Sequence, residues 1–264
     1  LFVSQEIEPY LPTSDEAHIG RYLPQGIQEK KREIRSFMPR YGCINERKNQ
    51  LHEVIRLSGM NIIISDVDRP LVIKVASISA ARIQVYFIDN DDYFRRKQTF
   101  CDENGNFFED NDERAVFFAR GVLETVKKLR WAPDIIHCQG WISHILPLYL
   151  KKTYKEDPIF SNSKVVLSLF NDCDGCKFSD RFAEKLAFGN IKAEDAPFLT
   201  EATGINLAKT AIQYSDAVIL GSGSIDKELL SFCTEKGLPG LPYNETSLKN
   251  GSYIDEYNSF YDQL

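Results

Sequence analysis

The sequence predicts an α/β fold in which one doubly wound, mainly parallel Rossmann-like sheet carries a β-hairpin insertion. From residue 134 onwards, strand-like apolar runs alternate with helical patterns, and strands joined by helices pair in parallel through right-handed crossovers. Residues 51–88 contain short β runs separated by turn residues, which is typical of an antiparallel hairpin. The 264 residues contain no repeats or long linkers, so a single domain over 1–264 is expected.

Two strands and a helix are expected at the start of the chain. Residues 1–4 form a short apolar run, and a second run follows at 34–38. Ser14 has the character of a helix N-cap, with two acidic residues in the turn after it. Pro24 lies inside this helix, so a kink or break is expected near Leu23.

The hairpin insertion is expected to contain several short strands. Its β runs lie at 54–57, 62–64, 71–76 and 83–88. Turn-forming residues at 58–59 and 66–70 separate some of these runs. The last run is expected to return the chain to the main sheet.

The second half of the chain predicts alternating helices and strands. The clearest helix begins at Asp110, whose spacing to Glu113 is that of a capping box, and its apolar residues repeat at three and four. The remaining elements are expected at 134–137 (strand), 141–152 (helix), 164–169 (strand), 203–214 (helix), 216–220 (strand) and 223–236 (helix). An amphipathic stretch at 253–264 predicts a terminal helix that docks on the domain.

The segment 134–147 is the first candidate for a functional site. It has the pattern of a buried strand that ends in a polar loop, and ligands of open α/β sheets bind outside the carboxyl ends of the strands. The groups able to do chemistry here are His137, Cys138, Gln139 and Trp141. The loop therefore has the position of a site without an obvious catalytic set.

Composition narrows the classes of function. The chain has 32 basic and 38 acidic residues and a formal net charge of −6, which argues against a nucleic acid held by a broad basic surface. No run of about 18 apolar residues occurs, so no membrane span is expected. The six cysteines are scattered, which favours a reducing cytoplasm: Cys43, Cys101, Cys138, Cys173, Cys176 and Cys233.

Two short motifs have a simple structural interpretation. Cys173 and Cys176 form a C-x-x-C, but a redox pair would stand at the start of a helix and a zinc site would need two more ligands. An incidental turn is the preferred interpretation, and no metal or cofactor is expected. The segment 221–224 resembles a weak phosphate loop without its third glycine, so a helix N-cap by Ser222 or Ser224 is preferred.

Several segments, in the right order, resemble the N-terminal catalytic domain of bacterial glycogen and starch synthases. The matching segments are 2–10 (first strand and loop), 38–42 (second strand end), 85–89 with 93–94, and 110–114. His137, Trp141 and Pro147 fall on the family's His-x-His-Asp-Trp-His loop, and Asn171 falls on its Thr-Ile-His-Asn strand end. The resemblance spans about the first 225 residues.

This resemblance implies the first half of a GT-B glycosyltransferase. The family transfers glucose from a nucleotide sugar to the non-reducing end of an α-1,4-glucan, so an α-glucan or maltooligosaccharide is the implied ligand. A cytoplasmic location is implied, and no cofactor. The substrate-binding positions carried over from the family are Thr13, Arg114, His137, Trp141 and Asn171.

The chain departs from the family at three motif segments. The family's Lys-Thr-Gly-Gly-Leu loop aligns with residues 12–16, which are Pro-Thr-Ser-Asp-Glu. A cation and both glycines are lost there, and two carboxylates would repel a diphosphate. Gln139, Gly140 and Ile142 replace His, Asp and His, and Phe170 replaces the His of the strand-end motif. A retained fold with a dismantled transfer site is therefore expected.

Four of the carried-over side chains also have a purely structural interpretation. His137, at a strand end, is a hydrogen-bonded scaffold residue or a ligand contact. Trp141 is a core residue or a platform that stacks on a sugar ring. Asn171, at a carboxyl strand end, has a better claim to a polar ligand contact. Arg114 contacts a ligand or pairs only with an acidic residue of its own helical turn.

The resemblance and the departures leave three functions open. About forty residues follow the strand at 216–220, too few for the family's second α/β domain, so a chain inactive on its own is expected. It is then a non-catalytic glucan- or protein-binding module, or the acceptor half of a two-chain glycosyltransferase whose partner polypeptide supplies the donor domain. A nucleotide-sugar enzyme of another kind has no positive support in the residues.

Overall fold

A mixed ten-stranded sheet lies at the centre of the computed structural model, which describes residues 1–264. The strands are Phe2–Ser4 (β1), Ser36–Pro39 (β2), His52–Glu53 (β3), Met60–Ile64 (β4), Val67–Ile78 (β5), Ile83–Asp89 (β6), Ile135–Gln139 (β7), Lys164–Leu169 (β8), Ala217–Leu220 (β9) and Gly240–Leu241 (β10). Their order is β10-β9-β8-β7-β1-β2-β6-β5-β3, with β4 paired to β5. All pairs from β10 to β6 are parallel, whereas β5 is antiparallel to β3, β4 and β6. The predicted α/β fold with a hairpin insertion is confirmed.

The helices form two groups. They are Asp15–Glu29 (α1), Asp91–Phe94 (α2), Asn111–Leu129 (α3), Leu146–Lys152 (α4), Phe182–Lys185 (α5), Gly204–Gln213 (α6), Lys227–Glu235 (α7), Glu245–Asn250 (α8) and Tyr253–Tyr261 (α9). Helix α3 packs on α4 and α5, and α6 packs on α4 and α7, whereas α1 packs on α9. Right-handed crossovers in opposite directions along the sheet put these groups on opposite faces. No helix is both long enough and apolar enough to cross a membrane.

The strand order reverses between β1 and β7. From β1 the chain moves through α1 to β2 on one side, whereas from β7 it moves through α4, α6 and α7 to β8, β9 and β10 on the other. Ligands of doubly wound sheets bind outside the carboxyl ends of the strands at such a switch point. The fold therefore places the candidate site at the loops that follow β1, β7 and β8.

Helix α1 begins as predicted but is not broken at Pro24. The Ser14 hydroxyl accepts a hydrogen bond from the backbone N–H of Ala17, at 3.0 Å. The helix continues past the proline because Leu23 and Ile27, on either side of it, are fully or almost fully buried. Burial of such side chains stabilises the helix by about 1.5–3 kcal/mol each, which offsets the roughly 3 kcal/mol cost of an internal proline. The predicted break is therefore wrong.

Two details of the hairpin insertion also differ from prediction. The run 54–57 is a hydrogen-bonded turn, and the strand at this point is His52–Glu53. The turn expected at 66–70 is much shorter, because only Ser65 and Asp66 turn the chain. Both have positive φ (50° and 63°), as two-residue hairpin loops of type I′ require.

Helix α3 has the predicted buried stripe but no capping box. The Asp110 side chain makes no hydrogen bond to the helix N-terminus, because its backbone (φ −96°, ψ 15°) is not in the extended conformation of an N-cap. Its carboxylate pairs instead with Arg96, and the Nη1–Oδ1 distance is 2.6 Å. The buried stripe contains Ala115, Phe118, Ala119, Val122 and Val126.

Two later helices begin after their predicted starts. The segment 141–152 divides into a single 3₁₀ turn, Trp141–Ser143, and helix α4. Helix α7 has Asp226 as its N-cap, and the Asp226 carboxylate accepts a hydrogen bond from a first-turn N–H at 2.7 Å. The predicted N-cap by Ser222 or Ser224 is wrong because both serines lie in the loop before it.

Helix α9 packs along α1 on one face of the sheet. Ile254 lies against Gly26, where its Cγ2 is 2.5 Å from the position that a Cβ would take, so the two helices approach closely. An ion pair between Lys30 and Asp255 also joins them. The buried side of α9 consists of Tyr253, Tyr257, Phe260 and Tyr261.

Candidate functional site

Three loops meet at the carboxyl ends of β1, β7 and β8. In the parallel register, Ser4 of β1 pairs with Gln139 of β7, and Gln139 pairs with Ser168 of β8. The loops after these strands therefore begin side by side, and Gln5 and Gly140 are their first residues on β1 and β7. The candidate site expected at the switch point of the sheet therefore lies where these loops meet.

Gly140 is required at this corner by its backbone and by its neighbours. Its φ is +87°, a region that residues with side chains rarely adopt. A Cβ here would lie 2.2 Å from the Gln5 Cβ and 2.3 Å from the Glu16 Oε1. The Asp that the family motif has at this position therefore does not fit, because Gln5 and Glu16 fill the space.

The polar side chains around Gly140 are directed into the protein. The Gln139 Nε2 donates to the backbone carbonyl of Glu16 at 3.0 Å, and Gln139 is 2% exposed. The Gln5 Oε1 accepts from the backbone N–H of Ile142 at 3.3 Å, and the Ile142 side chain is fully buried. Both glutamine side chains are thus anchored to backbone groups of neighbouring segments.

Three carboxyl groups accumulate at the same corner. Burial raises the pKa of Glu16 well above its usual range, and the neighbouring Asp172 and Glu6 raise it further. The Glu16 Oε1 has no hydrogen-bond partner. Burial also raises the pKa of Asp172 to about 6, although the Trp141 N–H, which donates to its Oδ2 at 2.7 Å, acts in the opposite direction. We call this cluster of three carboxyl groups the acidic corner.

The structure gives His137 a scaffold position away from the strand ends. Its Nδ1 lies 2.6 Å from the Tyr261 hydroxyl of α9, and its Nε2 lies 2.6 Å from the Ser168 hydroxyl. In the sheet it is opposite Phe2, two residues before the carboxyl end of β1. Burial lowers the pKa of His137 to about 3, so the ring is neutral.

Trp141 is a core residue in this structure. It is 1% exposed, and its ring centroid lies 4.9 Å from that of Phe100, 5.5 Å from Phe107 and 5.3 Å from Phe178. A ring enclosed in this way has no face left for a sugar. Its backbone N–H, bound to Asp172, fixes the start of the 3₁₀ turn.

Asn171 and Thr13 are both exposed but lie in different depressions. The Asn171 Nδ2 donates to the Ser224 hydroxyl at 2.9 Å and to its backbone carbonyl, which ties the loops after β8 and β9 together. Asn171 lines an open cavity of about 480 Å³. Thr13 lines a separate cavity of about 340 Å³ between the start of α1 and helix α8, with Tyr243 and Lys249 on the far side.

Arg114 is enclosed by the loop before α3. Its Nε donates to the Tyr93 carbonyl at 2.8 Å, and its Nη1 donates to the Thr99 carbonyl and the Asn111 Oδ1, both at 2.7 Å. Burial lowers the pKa of Arg114 to about 10, so it stays charged at neutral pH. Pairing with an acid of its own helical turn is wrong, because nearby backbone carbonyls satisfy the guanidinium and Asp110 binds elsewhere.

Cys173 and Cys176 are joined in a disulfide in the loop after β8. The interpretation as an incidental turn is therefore wrong. Their Cα atoms are 5.1 Å apart, within the range that a disulfide bridges. The remaining four cysteines are free, so the scattered spacing of the six cysteines does not mean that all of them are free thiols.

An open groove adjoins the acidic corner, and sequence reasoning missed its main residues. It consists of two cavities of about 500 and 480 Å³ that share Phe107 and Lys177. We call it the aromatic groove; it is lined by Phe107, Phe108, Glu109, Asp110, Glu113, Asn171, Asp172, Cys173, Asp174, Gly175, Cys176, Lys177, Phe178, Ser179 and Lys185.

Three half-buried phenylalanines, Phe107, Phe108 and Phe178, form the apolar part of the aromatic groove. The rings of Phe107 and Phe178 meet edge to face with centroids 5.4 Å apart. Lys185 binds Asp112 at 2.9 Å and Glu113 at 3.1 Å, which holds charged groups beside the rings. No local pattern could have identified these residues, because they come from loops far apart in the chain.

Comparison with known proteins identifies the family. The model of the starch synthase catalytic domain matches residues 1–242. Glycogen synthase of Chlorobium luteolum is 41% identical over 231 residues, which cover 87% of this chain and 47% of that protein. Glycogen synthase of Chlorobaculum tepidum is 33% identical over 271 residues, which cover 100% of this chain and 55% of that protein. The chain thus spans about half the length of the curated relatives it matches.

A solved structure supports the same fold. The catalytic domain of starch synthase IV from Arabidopsis thaliana, bound to ADP and acarbose, superposes with a TM-score of 0.71 at 16% identity. The match covers 93% of this chain and 51% of that one. The predicted resemblance is confirmed: this chain belongs to the starch synthase catalytic domain family.

Proposed function

We propose that this chain binds an α-1,4-glucan in the aromatic groove and does not by itself transfer glucose from a nucleotide sugar. One observation carries the proposal. At the strand ends of the switch point Gln5 and Gln139 bind backbone groups inside the protein, whereas the open groove beside them is lined by three phenylalanines and by charged side chains.

The chemistry of the aromatic groove fits a glucan. The C–H faces of pyranose rings pack on aromatic rings, and carboxylates and ammonium groups bind sugar hydroxyls. Phe107, Phe108 and Phe178 offer the rings, and Glu109 and Lys177 are exposed beside them. Relatives of this chain are named glycogen synthases, and the starch synthase IV domain of the same fold is bound to acarbose as well as ADP.

The proposal of no transfer by the chain alone rests on its own residues. Where the family's first glycine loop would bring backbone amides to a nucleotide sugar, Ser14 and Asp15 stand instead. The Ser14 hydroxyl caps α1 and also donates a hydrogen bond to the Glu6 Oε2 at 2.8 Å. Ile142 is buried and offers no polar side-chain group. A phosphate-bearing donor thus meets the Asp15 carboxylate where the family offers a glycine amide.

A second function is favoured by the length of the match. The matched residues correspond to about half of each relative, so in a second proposed function they bind the glucan acceptor, while residues outside 1–264, on the same or a partner polypeptide, bind the nucleotide sugar. In that case ADP-glucose does not bind residues 1–264 alone, and transfer appears only when the donor-binding residues are supplied.

Calorimetry tests the first proposal. Maltoheptaose and ADP-glucose are titrated separately into the purified chain, and glucose transfer to maltoheptaose is then assayed. We expect maltoheptaose to bind and ADP-glucose neither to bind nor to be consumed. Glucose transfer by the chain alone would overturn the proposal, and so would the absence of maltoheptaose binding.

A pair of phenylalanine variants locates the glucan. Phe178→Ala removes a ring of the aromatic groove, and loss of stacking worth about 0.5–1.5 kcal/mol should weaken maltoheptaose binding by about twofold to tenfold. Phe198→Ala is the matched control, since Phe198 is also half-buried but packs on Phe232 away from the groove. Equal affinities of the two variants would place the glucan elsewhere.

A further inference from the structure

The Cys173–Cys176 disulfide closes a very small ring in the loop after β8, at the carboxyl edge of the sheet. The two residues are three positions apart, and a ring of this size restricts the unfolded chain less than the long loops whose closure stabilises folded proteins. The bond therefore contributes little to the stability of the fold. It lies in the loop that lines the aromatic groove.

Backbone hydrogen bonds also attach this loop to α6, so the disulfide is not its only link to the fold. The Cys173 carbonyl accepts a hydrogen bond from the Cys176 N–H, and the Cys176 carbonyl accepts one from the Gly204 N–H, both at 3.0 Å. Gly204 has no Cβ that would collide with the Cys173 carbonyl. The surrounding fold is therefore expected to survive reduction of the bond.

Residues on both sides of the disulfide hold Trp141. Asp172, immediately before Cys173, accepts the Trp141 backbone N–H at 2.7 Å. Phe178, two residues after Cys176, packs its ring against the indole with centroids 5.3 Å apart. A change in the shape of the loop is thus transmitted directly to the environment of Trp141.

We propose that Cys173 and Cys176 form a reversible thiol–disulfide site whose redox state sets the position of the 172–178 loop against Trp141. Cys173 is buried and Cys176 is partly exposed, so the Cys176 sulfur is the one open to attack. This property is distinct from glucan binding and does not depend on it.

The exchange needs an external dithiol as reductant. One thiolate of the dithiol attacks the Cys176 sulfur, the Cys173–Cys176 bond breaks, and Cys173 leaves as a thiolate that takes up a proton. The second thiolate of the dithiol then attacks the mixed disulfide at the dithiol's own sulfur and releases Cys176. Two electrons and two protons pass to the protein, and the dithiol becomes a disulfide.

Fluorescence of Trp141 reports on the loop. The chain has two tryptophans, so Trp131→Phe leaves Trp141 as the single emitter; Trp131 lines a cavity at the start of β1 and β7, at the opposite edge of the sheet. Dithiothreitol is added to this folded variant, and free thiols are trapped with N-ethylmaleimide and located by mass spectrometry. We expect labelling of Cys173 and Cys176 together with a shift of the Trp141 emission to longer wavelength, both reversed by reoxidation.

Two further variants decide the source of the response. Cys173→Ser/Cys176→Ser should have the emission of the reduced protein under both conditions and no response to dithiothreitol. Cys43→Ser/Cys101→Ser, which removes the exposed and partly exposed free thiols, should respond like the parent. The proposal is overturned if the bond opens only in denaturant, if the parent's emission is unchanged although both thiols are labelled, or if the Cys173→Ser/Cys176→Ser variant still responds.

Discussion

Replacing Gly140 with alanine tests whether the corner at the ends of β1 and β7 is as closely packed as the structure requires. The φ of +87° and ψ of 145° at Gly140 lie in a region essentially confined to glycine, and a residue held there costs about 1–3 kcal/mol. The new Cβ would meet the Gln5 Cβ at 2.2 Å and the Glu16 Oε1 at 2.3 Å. Overpacking of this kind costs about 1–3 kcal/mol more. We expect Gly140→Ala to lower the free energy of unfolding by about 2–6 kcal/mol.

Variants of two other glycines separate the backbone cost from the cost of overlap with Gln5 and Glu16. Gly105 has a φ of +81° and open space around the position of a Cβ, so Gly105→Ala measures the backbone cost alone. Gly175 has open space and no positive φ, so Gly175→Ala should change stability by less than about 0.5 kcal/mol. Unfolding in guanidinium chloride, followed by far-UV circular dichroism, compares the three variants. A cost for Gly140→Ala no larger than that for Gly105→Ala would show that Gln5 and Glu16 do not fill the space.

Three more substitutions have defined outcomes. Because burial raises the pKa of Glu16, the folded protein keeps a proton that the unfolded chain loses above about pH 4.3. The free energy of unfolding therefore falls as the pH rises from the unfolded pKa of Glu16 towards its folded pKa. Glu16→Gln should flatten the free energy of unfolding measured from pH 4 to 7, and an unchanged profile would contradict the buried carboxyl. Tyr261→Phe leaves the His137 Nδ1 without its partner and should cost about 1–3 kcal/mol in denaturant unfolding, whereas a cost near zero would mean that α9 does not seal this ring. Arg114→Lys cannot reproduce the forked contacts of the guanidinium and should cost about 2–4 kcal/mol, measured in the same way; a neutral result would mean that the loop before α3 does not depend on them.

Local pattern was sufficient for most of the sheet and for the buried face of α3. The apolar spacing of α3 predicts its buried stripe because a helix returns the same face every three or four residues. The Ser14 cap is predictable for a similar reason, since the hydroxyl and the N–H it binds are three residues apart. The continuation of α1 through Pro24 was not predictable, because the burial that keeps the helix intact comes from contacts with other elements.

The candidate site was predictable in position and not in composition. The strand order places it at the ends of β1, β7 and β8, as expected for a doubly wound sheet. Of the residues carried over from the family, Asn171 and Thr13 are exposed in different cavities, whereas His137, Trp141 and Arg114 are buried. The aromatic groove depends on Phe107 and Phe178, which no motif identifies.

The sequence by itself determined the α/β class, the mainly parallel sheet and the family, because periodicity and motif order are local properties that many residues repeat. Only the tertiary structure decided which way the side chains at the strand ends point. His137 is sealed by Tyr261, 124 positions further along the chain, and Gly140 is confined by Gln5 of the loop after β1 and Glu16 of α1. Such contacts depend on how distant segments pack, and this packing turned His137 and Gln139 inward and left the aromatic groove open.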